Sequence, residues 1–242
     1  MILRDLTNTE FQNVRKSKKS VAIIPVGSIE QHGAHLPIST DSDIISYIAK
    51  KIAEKMGYFL LPTIQYGISF EHHPLVNLSI SPNTLEKLLV DLCVSLYNNG
   101  IQKVVILNGH HGNQNALNRI PTDTRISSIK LQVAVYSYWH FMKKKFDHAG
   151  FVETSIMLAI SDKVQMKKAK KGLIPDDLSK KELAKLSKMA NKSFVKATKN
   201  GIWGDPTKAN SRDGKKILDE IVRSLIKESQ TWLTGKSRKL HQ

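Results

Sequence analysis

Apolar residues recur along this chain with two different periods. Short, largely β-branched runs at 21–26 (VAIIPV), 59–64, 103–107 (KVVIL) and 131–138 (LQVAVYSY) predict strands. The first and third are apolar almost throughout, as expected of strands covered on both faces. Between the runs, apolar positions return every three or four residues. Ile44, Ile45, Ile48, Ala49 and Ile52 predict a helix over 41–56, with Thr40 or Asp41 as its cap. Leu85, Leu88, Leu89, Leu92, Leu96 and Tyr97 predict another, opened by Pro82-Asn83-Thr84 and stopped by Gly100. Further helices are expected over 8–15, 114–120, 153–160 and 213–233. Residues 65–81 read as irregular and polar, and the Lys-rich 161–200 as a helix with surface loops. Lys16, Lys18 and Lys19 read as a basic turn, and 237–242 as a frayed tail.

Strand and helix alternate, which predicts an α/β fold: a mainly parallel sheet with helices on both faces. No repeat or low-complexity linker interrupts the pattern, so residues 1–242 are expected to form one domain. In such folds ligands bind beyond the carboxyl ends of the strands. The polar segments after Val26, Ile64, Leu107 and Tyr138 should therefore gather at one edge of the sheet. Eight of the nine histidines lie between His32 and His148, largely within those segments.

Five residues there have the character of metal ligands. Glu30 and His32 are two apart and project from the same face of an extended segment. Asp41 follows just before a helix, where a carboxylate can bridge two cations or cap the helix. His110 has glycine before it and His111-Gly112 after it, an arrangement that allows close approach of the backbone to a ligand. Glu153 opens a helix, where the dipole also favours a carboxylate. Each has an ordinary structural explanation, but all five converge on the same edge. Mixed histidine and carboxylate donors suit Zn²⁺, Mn²⁺ or Fe²⁺. Two such ions roughly 3.5–4 Å apart activate water against a carbonyl, which points to hydrolysis of an amide-like bond.

Composition narrows the remaining classes. Cys93 is the only cysteine, so no internal disulfide or cysteine cluster forms, and it reads as a small buried hydrophobe. No apolar run approaches the ~20 residues of a membrane span, and the first residues lack a signal-peptide pattern; a cytoplasmic protein without a membrane partner is expected. The net charge is +16, and most of the excess lies after residue 142, away from the histidines. It reads as a solvated lysine face. A nucleic-acid-binding protein is the alternative of a different class, opposed by the scarcity of interleaved aromatic residues.

At the site residues the chain resembles the creatininase (creatinine amidohydrolase) family. The resemblance rests on PVGSIEQHGAHLPISTD (25–41), NGHHGN (108–113), HAGFVETS (148–155), GIWGDP (201–206) and, more loosely, SFEHHPLVNLSISPNTL (69–85). It implies a three-layer α/β/α sandwich with a mainly parallel sheet. It also implies two divalent metal ions, zinc first with manganese or iron as alternatives, a small-molecule substrate, and a homo-oligomer, often a hexamer. Carried onto this sequence, Glu30, Asp41 and His110 bind one metal. His32, Asp41 and a further glutamate, assigned to Glu153, bind the other. His148 matches the family's proton-transfer histidine. The implied activity is hydrolysis of a small non-peptide C–N bond by a two-metal-activated hydroxide. Deformylation of a formylamino-pyrimidine ribotide, as in archaeal flavin and deazaflavin synthesis, is the named alternative. Creatininase proper carries a glutamate at the position of Gly112, a departure that argues against creatinine itself; His111 replaces a common glycine. His35 is expected to orient ligands, Glu71 and His72 to line the substrate mouth, and Trp139 and Trp203 to stack on a flat substrate or to pack.

Overall fold

The computed structural model describes residues 1–16 and 20–235. Lys18 and Lys19 of the expected basic turn, and the tail 237–242, lie outside the described residues. Helix α1 (Asn8–Arg15) starts at a reciprocal cap: Thr7 Oγ1 accepts from Glu10 N, and Glu10 Oε2 accepts from Thr7 N at 2.7 Å. Strands β1 (Val21–Val26), β2 (Phe59–Leu60), β3 (Lys103–Asn108) and β4 (Gln132–Ser137) form a parallel sheet in the order β2-β1-β3-β4. Successive residues of each strand feed opposite cores. Val21, Ile23, Val105, Leu107, Ala134 and Tyr136 face one core, packed against α2 (Thr40–Met56), α6 (Phe151–Ile160) and α9 (Ser211–Leu233). Ala22, Ile24, Val26, Val104 and Ile106 face the other, packed against α1, α3 (Pro82–Asn98), α4 (Gln114–Arg119) and α5 (Thr124–Ser127). The result is the α/β/α arrangement expected from the alternation.

The second strand is shorter than the run 59–64 predicts, and the reason lies in Pro25. Leu61 N donates to Ile23 O at 3.0 Å, but Pro25 of β1 has no N–H to continue the ladder toward β2. Pairing loosens there and resumes one step later, where Ile64 N donates to Pro25 O at 2.9 Å and Gly27 N to Ile64 O at 2.8 Å. Helix α3 begins as read: Ser81 Oγ accepts from Thr84 N at 3.1 Å, with Pro82 in the first turn. It ends before Gly100, whose φ of +86° favours glycine. Cys93 is buried in α3, and burial pushes its thiol up to about 12. In the Lys-rich 161–200 the expected helix is present and locally capped. Ser179 and Glu182 cap each other at the start of α7 (Lys180–Ala190), and α8 (Phe194–Thr198) follows. Among the described residues no helix is long and apolar enough to cross a membrane.

The carboxyl ends of β1, β3 and β4 lie side by side, Val26 opposite Asn108 and Asn108 opposite Ser137. The segment after β1 is held from above by residues 65–81. Gln31 N donates to Val76 O at 2.7 Å, Leu78 N donates to Ile29 O at 2.8 Å, and Glu30 pairs antiparallel with Asn77.

Candidate metal centre

Each candidate ligand is placed by backbone that had to be organised in any case. Glu30 is fully buried, and its Oε2 accepts from Ser28 Oγ at 2.9 Å. His32 Nδ1 lies 3.0 Å from Glu30 O. A carbonyl only accepts, so neutral His32 carries its proton on Nδ1 and leaves Nε2 free. Asp41 is not the helix cap. Ser39 occupies that position, and Asp41 sits in the first turn of α2 with its carboxylate aimed inward. Its Oδ1 lies 3.1 Å from His32 Nε2, and its Oδ2 3.0 Å from His110 Nδ1. His110 follows β3; its Nε2 lies 2.8 Å from Ile68 O, so in the neutral ring Nδ1 is the free nitrogen. Glu153 serves two roles that the sequence left as alternatives. It lies in the first turn of α6, where its Oε2 accepts from Ala149 N at 2.6 Å, and the same oxygen stands 3.6 Å from His32 Nε2.

These five side chains form two groups, Glu30–Asp41–His110 and His32–Asp41–Glu153, with the donor atoms of each group within 4.8 Å of one another. Asp41 belongs to both. A third group, Glu30–His32–His148, draws on the same His32; its Glu30–His148 approach is 3.8 Å, longer than the His32–Asp41 contact. The donor set fits divalent cations on a direct observation. Glu30 Oε1 and Asp41 Oδ2 are buried and carry no hydrogen bond, although His72 Nε2 and His110 Nδ1 approach them to 3.1 and 3.0 Å. Acceptor-only oxygens left so in a dry interior are costly unless a cation meets them.

The charges respond to this crowding. Burial opposes protonation of His32, but Asp41, Glu153 and Glu30 outweigh it and push the imidazole up to about 10. His110 reaches about 10 in the same way, against burial, through Glu30 and Asp41. Asp41 stays below the usual carboxylate range because His32 and His110 outweigh its burial. Burial pushes Glu153 up to about 8. His32, His110 and Glu153 are thus protonated at pH 7 without metal and must lose those protons to ligate. Metal loading at pH 7 is therefore expected to release about two or three protons per chain. Affinity should rise with pH, because the metal-free state binds more protons. Calorimetry in buffers of different ionisation enthalpy measures the release; a value near zero would contradict this protonation pattern.

The groups lie at the base of a cavity of about 350 Å³. Its lining includes Glu71 and His72, as expected from the sequence, together with His148 and Trp203. Trp139 instead packs against Phe146, with ring centroids 4.8 Å apart, and does not line the cavity. His35 also departs from expectation. Its Nε2 meets Thr154 Oγ1 at 2.9 Å on α6 rather than a candidate ligand, and burial, with His32 nearby, lowers its pKa to about 4. Six lining residues escaped the sequence reading, among them Phe146, Ser187 and Ala190. Asp147 accepts from Val152 N at 2.8 Å at the start of α6, and burial pushes it up to about 7. Asn191 and Phe194 come from the α7–α8 segment. The Asp147 cap, six residues before Glu153, was the one detectable signal; Phe194 had none.

A parallel α/β/α sheet carries, at its carboxyl edge, a donor cluster that shares one aspartate between two groups able to hold a divalent cation. The family description Creatininase: Creatinine amidohydrolase matches residues 4–228, and the chain belongs to the creatininase family. It is 31% identical over 229 residues to the mycofactocin precursor peptide peptidase of Mycobacterium ulcerans (strain Agy99), covering 88% of this chain and 86% of that one. It is 27% identical over 224 residues to the 2-amino-5-formylamino-6-ribosylaminopyrimidin-4(3H)-one 5'-monophosphate deformylase of Methanocaldococcus infernus (strain DSM 11812 / JCM 15783 / ME), covering 88% and 92%. Among solved structures, a mutant creatininase of zinc–zinc type matches with a TM-score of 0.78 at 24% identity, over 93% of this chain and 95% of that one. A manganese creatininase matches with 0.77 at 22%, over 93% and 96%. The structural likenesses speak for the fold.

Proposed function

We propose that this protein hydrolyses an amide-like C–N bond in a small molecule, with one divalent ion held by Glu30, Asp41 and His110 and a second by His32, Asp41 and Glu153. The observation that carries this reading is the membership of Asp41 in both donor groups, which border one cavity. Zinc is the first choice, supported by the donor types and by the zinc and manganese forms of creatininase. Ions held there would supply Lewis-acid polarisation of a carbonyl and acidify water.

The protein's own groups do the rest. His148 Nε2 lies 3.1 Å from Gln31 O, which directs its Nδ1 toward Glu30 and the donor cluster. Burial, with His32 and His72 nearby, holds the imidazole well below its ordinary pKa, so it is neutral at pH 7. A neutral imidazole in that position takes a proton from the attacking water and passes it to the departing amine. Phe146, Phe194 and Trp203 exclude bulk water around the cleavage site.

The lining also bears on substrate. Besides its histidines it holds Glu30, Asp41, Glu71, Asp147 and Glu153, with no lysine or arginine among the described residues. This favours an uncharged or amine-bearing group in the inner cavity. The ribotide deformylase reading draws support from the Methanocaldococcus relative; the phosphate of such a substrate would have to remain at the rim. Self-association is supported by Ile38, Tyr66, Phe70, Leu75, Val76 and Leu78, exposed apolar residues of which five lie in 66–78.

The test is a screen of zinc- or manganese-loaded protein against formamides, cyclic ureas, creatinine and short peptides, with metal content measured in parallel. We expect turnover of one non-peptide class, lost on chelation and restored by metal. Cleavage of the peptides alone would replace this reading with a peptidase. Purified protein that takes up no metal but binds nucleic acid with a steep salt dependence would favour the basic-surface alternative.

A further inference from the structure

The segment 68–73 touches the two unshared ligands of one donor group and neither unshared ligand of the other. Ile68 O fixes the ring of His110 from Nε2 at 2.8 Å. His72, 2% exposed, brings Nε2 to 3.1 Å from Glu30 Oε1, the carboxylate oxygen that has no hydrogen bond. His32 and Glu153 take their partners elsewhere, from Glu30 O, Ala149 N and Tyr138 Oη.

His72 is itself held in one state. Gln31 Oε1 accepts from Gly33 N at 3.0 Å, which sets the orientation of the amide. Gln31 Nε2 then faces Gly201 O at 3.1 Å, His72 Nδ1 at 2.9 Å and His148 Nε2 at 3.1 Å; His148 Nε2 donates to Gln31 O, so the two amide hydrogens go to Gly201 O and His72 Nδ1. With Nδ1 accepting, neutral His72 carries its proton on Nε2, the nitrogen turned to Glu30. Phe194 packs against the ring at a tilt, with centroids 4.7 Å apart. The segment is seated on Gly112. A Cβ there would lie 2.1 Å from Ile68 O and 2.6 Å from His110 Nε2, so any side chain at 112 displaces the loop.

We propose that Gln31, His72 and the Ile68 carbonyl form a positioning support dedicated to the Glu30–Asp41–His110 metal position, and that Gly112 is required for it. The inference rests on the two-metal reading above, and the experiment separates the two. Zinc affinities are measured by chelator competition, and the absorption spectrum by replacing zinc with cobalt. His72→Phe keeps an aromatic ring against Phe194 but removes both nitrogens. We expect it to weaken one of two bound metals by about 10–100-fold, leave the other unchanged, and alter only part of the cobalt spectrum. His72→Gln, which retains an N–H, should recover most of the loss, and Gln31→Met should reproduce part of it. In a Glu153→Gln background, where the unaffected position is removed, His72→Phe should weaken the one remaining site. Gly112→Ala should act as His72→Phe does; if it fails to fold, the His72 and Gln31 variants still decide. Two wild-type affinities in His72→Phe, or an equal loss at both positions, would overturn the proposal. A wild-type protein that binds fewer than two metals would instead overturn the two-metal reading.

Discussion

Asp41→Ala is expected to remove both metals from the protein rather than one. The two oxygens of this carboxylate face different histidines, Oδ1 toward His32 and Oδ2 toward His110, and each completes a separate donor group. The side chain is buried, so water does not readily substitute for it. Its loss leaves two donors in each group, short of the three protein ligands usual in catalytic zinc sites. Asp41 does not cap α2, so removing it costs the helix only a favourable first-turn charge, on the order of 0.3–1 kcal/mol. The larger cost is that the buried His32 and His110 lose the carboxylate between them, so the variant is expected to melt lower than the wild type, to fold with both rings neutral, and to be inactive. Metal analysis after dialysis, paired with a thermal melt, provides the measurement. One fully retained metal in a folded variant would show that Asp41 does not bridge.

His148→Gln is expected to keep both metals and lose turnover by about 10²–10⁴-fold, the range associated with a positioned acid–base group. The imidazole lies beside the donor cluster but outside both Asp41-containing groups, and its neutral state at pH 7 suits proton transfer. Glutamine retains similar bulk and a hydrogen-bonding amide at the contact with Gln31 O but cannot carry the proton. Because His148 also belongs to the third group, with Glu30 and His32, metal content must be measured in the same preparation. A metal lost together with activity would make His148 a ligand. Full metal content with full turnover would exclude it from the reaction.

Several features were legible because they are encoded locally. The nearly unbroken apolar runs VAIIPV and KVVIL specify a sheet covered on both faces, and three- to four-residue spacing specifies the helices that cover it. Parallel strands then oblige the loops after Val26 and Asn108 to share an edge, so Glu30, His32, Asp41 and His110 could be named together before any distance was known. Where the expectation was inexact, a local detail was underweighted. Pro25 shortens the pairing of β1 with β2, and Ser39 rather than Thr40 or Asp41 stands at the helix cap.

What the sequence determined by itself was the layer order, the edge that carries the chemistry and the residue types gathered there, because periodicity and β–α alternation are properties of neighbouring residues. Tertiary closure alone decided which oxygen of Asp41 meets which histidine. It also decided that His35 turns away to Thr154, that Phe194 from a weakly patterned lysine-rich segment walls the cavity, and that Gln31 grips His72 from forty-one residues away. Those contacts join segments with no common period. They depend on side-chain direction and on space left open at positions such as Gly112, which exist only once the chain has packed.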